Sequence, residues 1–159
     1  MAAEPVERDL VRRRLLGWSV ACEPIFPGVD LGRDLVLRAD VDGNLDLAQV
    51  ESVDALSQSL SLELTTALGS DVFNTAFGFD GIAALADEPD PVLARERVRI
   101  SVIKVLHADP RVRRIVDVEL DSDRGRPIGS ARTLDVTVAF ETVALDQATV
   151  NLGRAVPIA

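Results

Sequence analysis

Arg111, Arg113 and Arg114 follow an Asp109-Pro110 break in a chain of net charge −9. Guanidinium groups are planar, multidentate donors suited to carboxylates at a protein interface. The local use of Arg113 and Arg114 would be to pair with Asp117, Glu119 or helix-end carbonyls. A second cluster, "DVDGNLD" at residues 40–46, offers oxygens from Asp40, Asp42, Asn44 and Asp46. As a calcium loop it is out of register, because Gly43 comes too early and Glu51 falls at a predicted helix start. Asp42-Gly43 is instead a favoured hairpin turn. His107 and Cys22 are the only residues of their types, which excludes an internal disulfide and a zinc site of several Cys and His ligands. No Gly-x-Ser-x-Gly elbow, phosphate-binding loop or dinucleotide fingerprint is present. With 26 acidic residues, any pair of carboxylates chosen for hydrolysis would be arbitrary. The sequence names no catalytic, cofactor-binding or metal-binding residue. The candidate site is therefore a partner-binding one: Asp109, Pro110, Arg111, Arg113 and Arg114.

Bulk properties narrow the partners. An acidic chain argues against dedicated nucleic-acid binding, which needs a basic surface. No apolar run is long enough to span a bilayer. "RRRLLGWSVAC" starts like a signal peptide, but Glu23 and Pro24 cut its apolar stretch short. A soluble, intracellular, single α+β domain is expected.

The elements that must position the arginines follow from periodicity. Residues 1–30 read as an arm that packs without a long regular element. Leu35 and Leu37, then Leu45 and Leu47, alternate around Asp42-Gly43 as a short hairpin. From about residue 50 to 68, Val50, Val53, Leu56, Leu60, Leu64, Ala67 and Leu68 form one helical stripe, with Gly69 placed to stop it. The opposite face carries Ser52, Gln58, Ser59, Ser61, Thr65 and Thr66. It is either a weakly polar solvated face or a protein contact. Phe73, Phe77 and Phe79 would pin the following loop to the core or else present a ligand surface.

Asp90 as N-cap and Pro91 at the first position open a second helix over residues 91–107. That helix is apolar on two sides, Val98, Val102 and Val105 opposing Leu93, Ile100 and Ile103, so it should be sandwiched. His107 suits its C-terminal end. Val116, Val118 and Leu120, then Leu134, Val136, Val138 and Phe140, alternate as a β-hairpin with one buried face. "ATVNL" is a further strand, placed as an edge.

"LSQSLSLELTTALGSDVFNTAFG", residues 56–78, resembles the signature helix and loop of the phage baseplate wedge family often labelled lysozyme-like. That family has a type VI secretion member, TssE, and relatives in contractile injection systems. The matching positions are Gln58, Leu60, Leu64, Thr65 or Thr66, Gly69, Phe73 and Gly78. Asp109, Pro110 and Arg111 then stand where the family has Glu-Pro-Arg, ahead of a β-hairpin. Asp109 for glutamate is a departure that keeps the charge on a shorter arm. The resemblance covers about residues 35–145.

It implies a division into an N-terminal arm (1–30), a wedge domain (31–145) and a C-terminal strand or tail (146–159). It also implies a non-enzymatic structural component of a phage-tail or injection-system baseplate, present in several copies. Such a protein docks on wedge proteins through the Asp109–Arg111 region. Its C-terminal strands template the first ring of tail sheath. Assembly would take place in the bacterial cytoplasm, without membrane, nucleic acid or cofactor. Two other readings stay open: a small binding regulator on the same fold, comparable to anti-adaptors of bacterial proteolysis, and a peptidoglycan hydrolase despite the missing constellation.

Overall fold

In the computed structural model, which describes residues 5–26, 29–122 and 134–152, the chain is an α+β fold. Its main sheet is antiparallel, in the order β7 (Val112–Ser122), β8 (Leu134–Thr142), β9 (Gln147–Leu152). Alternation puts Val118, Leu120, Val136, Val138, Phe140, Ala148 and Val150 on one buried face. Two helices cover that face: α2 (Ser52–Thr65) lies against β9 and α4 (Pro91–Ala108) against β7. They contribute Leu56, Leu60 and Leu64, and Val98, Val102 and Leu106, while Leu16 closes the core from α1 (Pro5–Leu16). The other face of the sheet carries Glu119, Asp135, Thr149 and Asn151 and is solvated. No helix among the described residues is long and apolar enough to cross a membrane.

The N-terminal third forms three two-stranded ribbons: β1 (Trp18–Val20) with β6 (Gln49–Glu51), β2 (Cys22–Phe26) with β3 (Val29–Leu35), and β4 (Leu37–Ala39) with β5 (Leu45–Leu47). The single residues between successive strands, Ala21, Val36 and Ala48, meet at one point. The Ala21 N–H donates to the Ala48 carbonyl (2.8 Å), Ala48 to Val36 (2.8 Å), and Val36 to Ala21 (3.0 Å). This closed triangle satisfies backbone groups that the ribbons leave over at their common root. Ala21 and Ala48 are buried there, at 8% and 5% exposure.

Several sequence expectations hold. The turn at Asp40–Asn44 closes the β4–β5 hairpin, with Gly43 at φ +83°. Asp90 caps α4 by accepting from the Val92 and Leu93 N–H groups, with Pro91 in the first turn. The edge strand falls at Gln147–Leu152.

Others need correction. The stretch 1–30 is no irregular arm, since Pro5–Leu16 is helical. The hairpin begins later than expected, since Leu35 belongs to β3 and pairs with Cys22, and its leucines are solvent-exposed, Leu37 at 58% and Leu45 at 70%. α2 starts later and stops earlier than expected, with Val50 in β6 and Thr66 already extended (ψ 128°). α4 is not sandwiched, because Leu93 and Ile100 are exposed and only Ile103 of that side packs on the core. In β7 the inward set is Ile115, Val118 and Leu120, whereas Val116 points outward. Bulges between Val112 and Arg114 and between Ile115 and Asp117 shift the alternation, which a strict period of two cannot foresee. A short helix, α3 (Gly81–Asp87), was not expected. Of the loop phenylalanines, Phe79 is buried and Phe73 exposed. The "DSDRGRPIGS" connection lies mostly outside the described residues.

Candidate docking site

The Asp109-Pro110-Arg111 stretch is the junction between α4 and β7. Asp109 is the C-cap of α4, and Pro110, which cannot continue a helix, is exposed at the turn. The Asp109 carboxylate accepts from the Arg111 backbone N–H (2.9 Å), so a local turn brings the two side chains together. Arg111 Nε then donates to Asp109 Oδ1 (2.9 Å) and Nη2 to Oδ2 (2.6 Å). The fork also reaches the Leu16 carbonyl from Nη1 (3.3 Å) and Ser59 Oγ from Nη2 (3.2 Å). One guanidinium therefore ties the end of α1, the middle of α2 and the α4–β7 junction.

The electrostatics follow from that geometry. Burial works to raise the Asp109 pKa, but the hydrogen bonds and charge of Arg111 outweigh it and hold the carboxyl below its ordinary value. The Asp109 hydrogen bond in turn raises Arg111, against the opposing effect of burial. Glu63 on α2 is raised, first by burial and then by the Asp109 charge, with Arg111 opposing both.

Arg113 and Arg114 face elsewhere. Both reach Glu141 on β8, Arg113 Nη1 to Oε1 (2.6 Å) and Arg114 Nη2 to Oε2 (3.0 Å). Arg114 is the register partner of Glu141, and the adjacent bulge lets the extra residue Arg113 reach the same carboxylate. Their side chains are 56% and 67% exposed. Four of the five candidate residues thus form two groups, an inward brace of Asp109 and Arg111 and an outward pair of arginines sharing one carboxylate, while Pro110 stands exposed at the turn.

Sequence reasoning missed Glu141, because bulge positions set the cross-strand register and carry no signature. It also left the polar face of α2 undecided. That face is largely occupied by the chain itself. Gln58 Nε2 donates to the Val20 carbonyl (2.7 Å) while its Oε1 accepts from the Cys22 N–H (2.8 Å), clamping the junction on either side of Ala21. Arg33 Nη2 donates to Ser61 Oγ (2.5 Å), and Arg111 takes Ser59. Thr65 and Thr66 hydroxyls donate back to the Ser61 and Leu62 carbonyls.

An open cleft of about 490 Å³ between α1 and the start of α2 is lined by Asp9, Arg12, Glu51, Asp54 and Asp146, among others. Arg12 there donates to Asp146 Oδ1 at 2.6 Å, which makes it an ion-paired seam between α1 and the β8–β9 turn. No group of three or more His, Cys, Asp or Glu among the described residues is arranged to hold a metal ion. His107 is exposed in the last turn of α4. The sequence matches no protein-family model and no curated protein.

Proposed function

We propose that this chain is a non-enzymatic docking component of a contractile tail or injection machine, engaging wedge proteins and offering a strand to the first ring of sheath. The observation that carries the reading is the edge of the main sheet. Among the described residues β9 pairs only with β8, so its outer main-chain groups are available to a strand from another chain. Gln147, Thr149 and Asn151 are exposed along it, which suits a wet, reversible edge rather than a buried one.

Arg113 and Arg114 are the outward contact for wedge carboxylates. Their bond to Glu141 is solvent-exposed on the arginine side and is exchanged at little cost. Asp109 and Arg111 act behind them, holding the α4–β7 junction in shape. Several copies would be assembled in the bacterial cytoplasm.

The test is capture of partners from the native host by the wild-type chain and by R113Q/R114Q, with bound proteins identified by mass spectrometry. Wedge and sheath subunits should accompany the wild type, and the variant should lose the wedge partners while keeping its thermal stability. Capture of a single regulator would favour the anti-adaptor reading, and a wild type that brings down no tail component would sink the proposal.

A further inference from the structure

Two exposed apolar surfaces of opposite charge lie on different parts of this chain. On the β4–β5 hairpin, Leu37 pairs with Leu47 and Ala39 with Leu45, so all four side chains share one face. Among the described residues nothing covers that face, as Leu37, Leu45 and Leu47 are 58%, 70% and 42% exposed. An isolated two-stranded ribbon is marginal in water and gains from a covering element. At its tip stand Asp40 and Asp42, neither in an ion pair among the described residues.

The second surface is the outward side of α1. Leu10, Val11 and Leu15 are 58%, 48% and 46% exposed. Arg8, Arg14 and Glu7 share that side, within an arc of about 160° at 100° per residue, so two arginines against one glutamate leave the face with a positive balance. The inward side of the helix is already used, by Leu16 in the core, Arg12 on Asp146 and Arg13 on Glu51. Arg8 and Arg14 have no ion-pair partner among the described residues. Because both surfaces are exposed, neither covers the other within one chain.

We infer that the outward face of α1 in one copy docks on the leucine face of the β4–β5 hairpin in a second copy. A helix stripe laid on a flat apolar ribbon buries the leucines of both, and Arg8 or Arg14 meets the Asp40–Asp42 tip. The contact is heterologous, using two different patches, so repetition yields rings or open chains rather than a closed two-fold dimer. It does not depend on the wedge role, and it can hold or fail separately from it.

The experiment is analytical ultracentrifugation of the full chain over a wide concentration range, with L45E and R8E/R14E made separately. Wild type should gain mass with concentration and lose it in high salt, because the arginine–aspartate contacts are exposed. Each variant alone should stay monomeric, its association weakened about tenfold or more, with an unchanged melting temperature. Mixed in equal amounts, the two variants should form a dimer and nothing larger, since one retains the helix and the other the hairpin. A wild type that is monomeric throughout, or a mixture that remains monomeric, would overturn the inference. So would a monomeric wild type that binds a basic helix of some other protein.

Discussion

Arg111 grips the carboxylate of Asp109, two residues behind it, through two parallel N–H···O bonds of 2.9 and 2.6 Å. The Asp109 side chain is only 9% exposed, and the guanidinium donates further to the Leu16 carbonyl and Ser59 Oγ. Replacing Arg111 by Met would leave a nearly buried carboxylate unpaired and a backbone carbonyl unmet. The expected loss is about 2–4 kcal/mol in chemical denaturation. The double variant D109N/R111M should lose less than the two single changes together, because the carboxylate's need for a partner disappears. A loss below about 0.5 kcal/mol for R111M would deny the brace.

The same cluster sets a pH dependence with two opposing signs. Asp109 has a depressed pKa when folded, so its contribution is present above the unfolded carboxylate value and lost as pH falls through the folded one. Glu63 has a raised pKa, so its contribution is present at low pH and declines as pH rises through the folded value. Urea midpoints measured across the acid range should show E63Q equal to or more stable than wild type near neutrality, converging at low pH. D109N should show the reverse: a deficit near neutrality that shrinks on acidification.

Gln58 acts as a substitute strand residue, its amide filling the gap at the three-ribbon junction. Gln58→Leu keeps the bulk but leaves the Cys22 N–H without a side-chain partner and the Val20 carbonyl with only the weak Cys22 thiol donor at 3.7 Å. A destabilisation of about 1–3 kcal/mol is expected. Amide hydrogen exchange at Cys22 should accelerate more than exchange in β8. Uniform acceleration would mean that the junction unfolds only with the whole chain.

The phenylalanines separate core from surface. Phe140 is 1% exposed in the middle of the main sheet, and Phe73 is 97% exposed in the loop after α2. Phe140→Ala should cost about 3–5 kcal/mol and Phe73→Ala less than about 0.5 kcal/mol. Thermal and urea unfolding of the pair checks both. A large effect at Phe73 would mean that the loop packs in solution.

What the sequence made legible was whatever local chemistry repeats. The Asp90-Pro91 start of α4 rests on capping, and the Asp42-Gly43 turn on backbone conformation, so each is local. The inward residues of β8 follow a period of two without interruption from Val136 to Phe140. In β7 the same rule mis-set Val116, because two bulges are tertiary adjustments with no residue type of their own. The arginines were found by type, but not their division of labour. Asp109 claims Arg111 through a turn, whereas Glu141 lies 27 and 28 residues from Arg114 and Arg113. The α1 helix was missed because its apolar residues lie on both sides of it, Leu16 inward and Leu10, Val11 and Leu15 outward, which blurs the amphipathic signal.

Gly78 offers a sharp test of the loop between α2 and α3. Its φ of +115° is open to glycine and strained for other residues, and a Cβ there would lie 2.8 Å from the Thr66 carbonyl oxygen. That carbonyl accepts the Phe79 N–H at 2.8 Å, which holds the buried Phe79 ring against the core beside α2. Gly78→Ala must therefore push backbone against backbone and loosen an aromatic anchor together. Strain of about 1–3 kcal/mol at the residue adds to the partial loss of Phe79 packing. The expected result is a destabilisation of several kcal/mol, well beyond that of Gly43→Ala at the exposed hairpin, where a Cβ meets nothing within 4 Å. Comparable melting temperatures for the two variants would mean that crowding at Thr66 adds nothing to the backbone strain that both positions share.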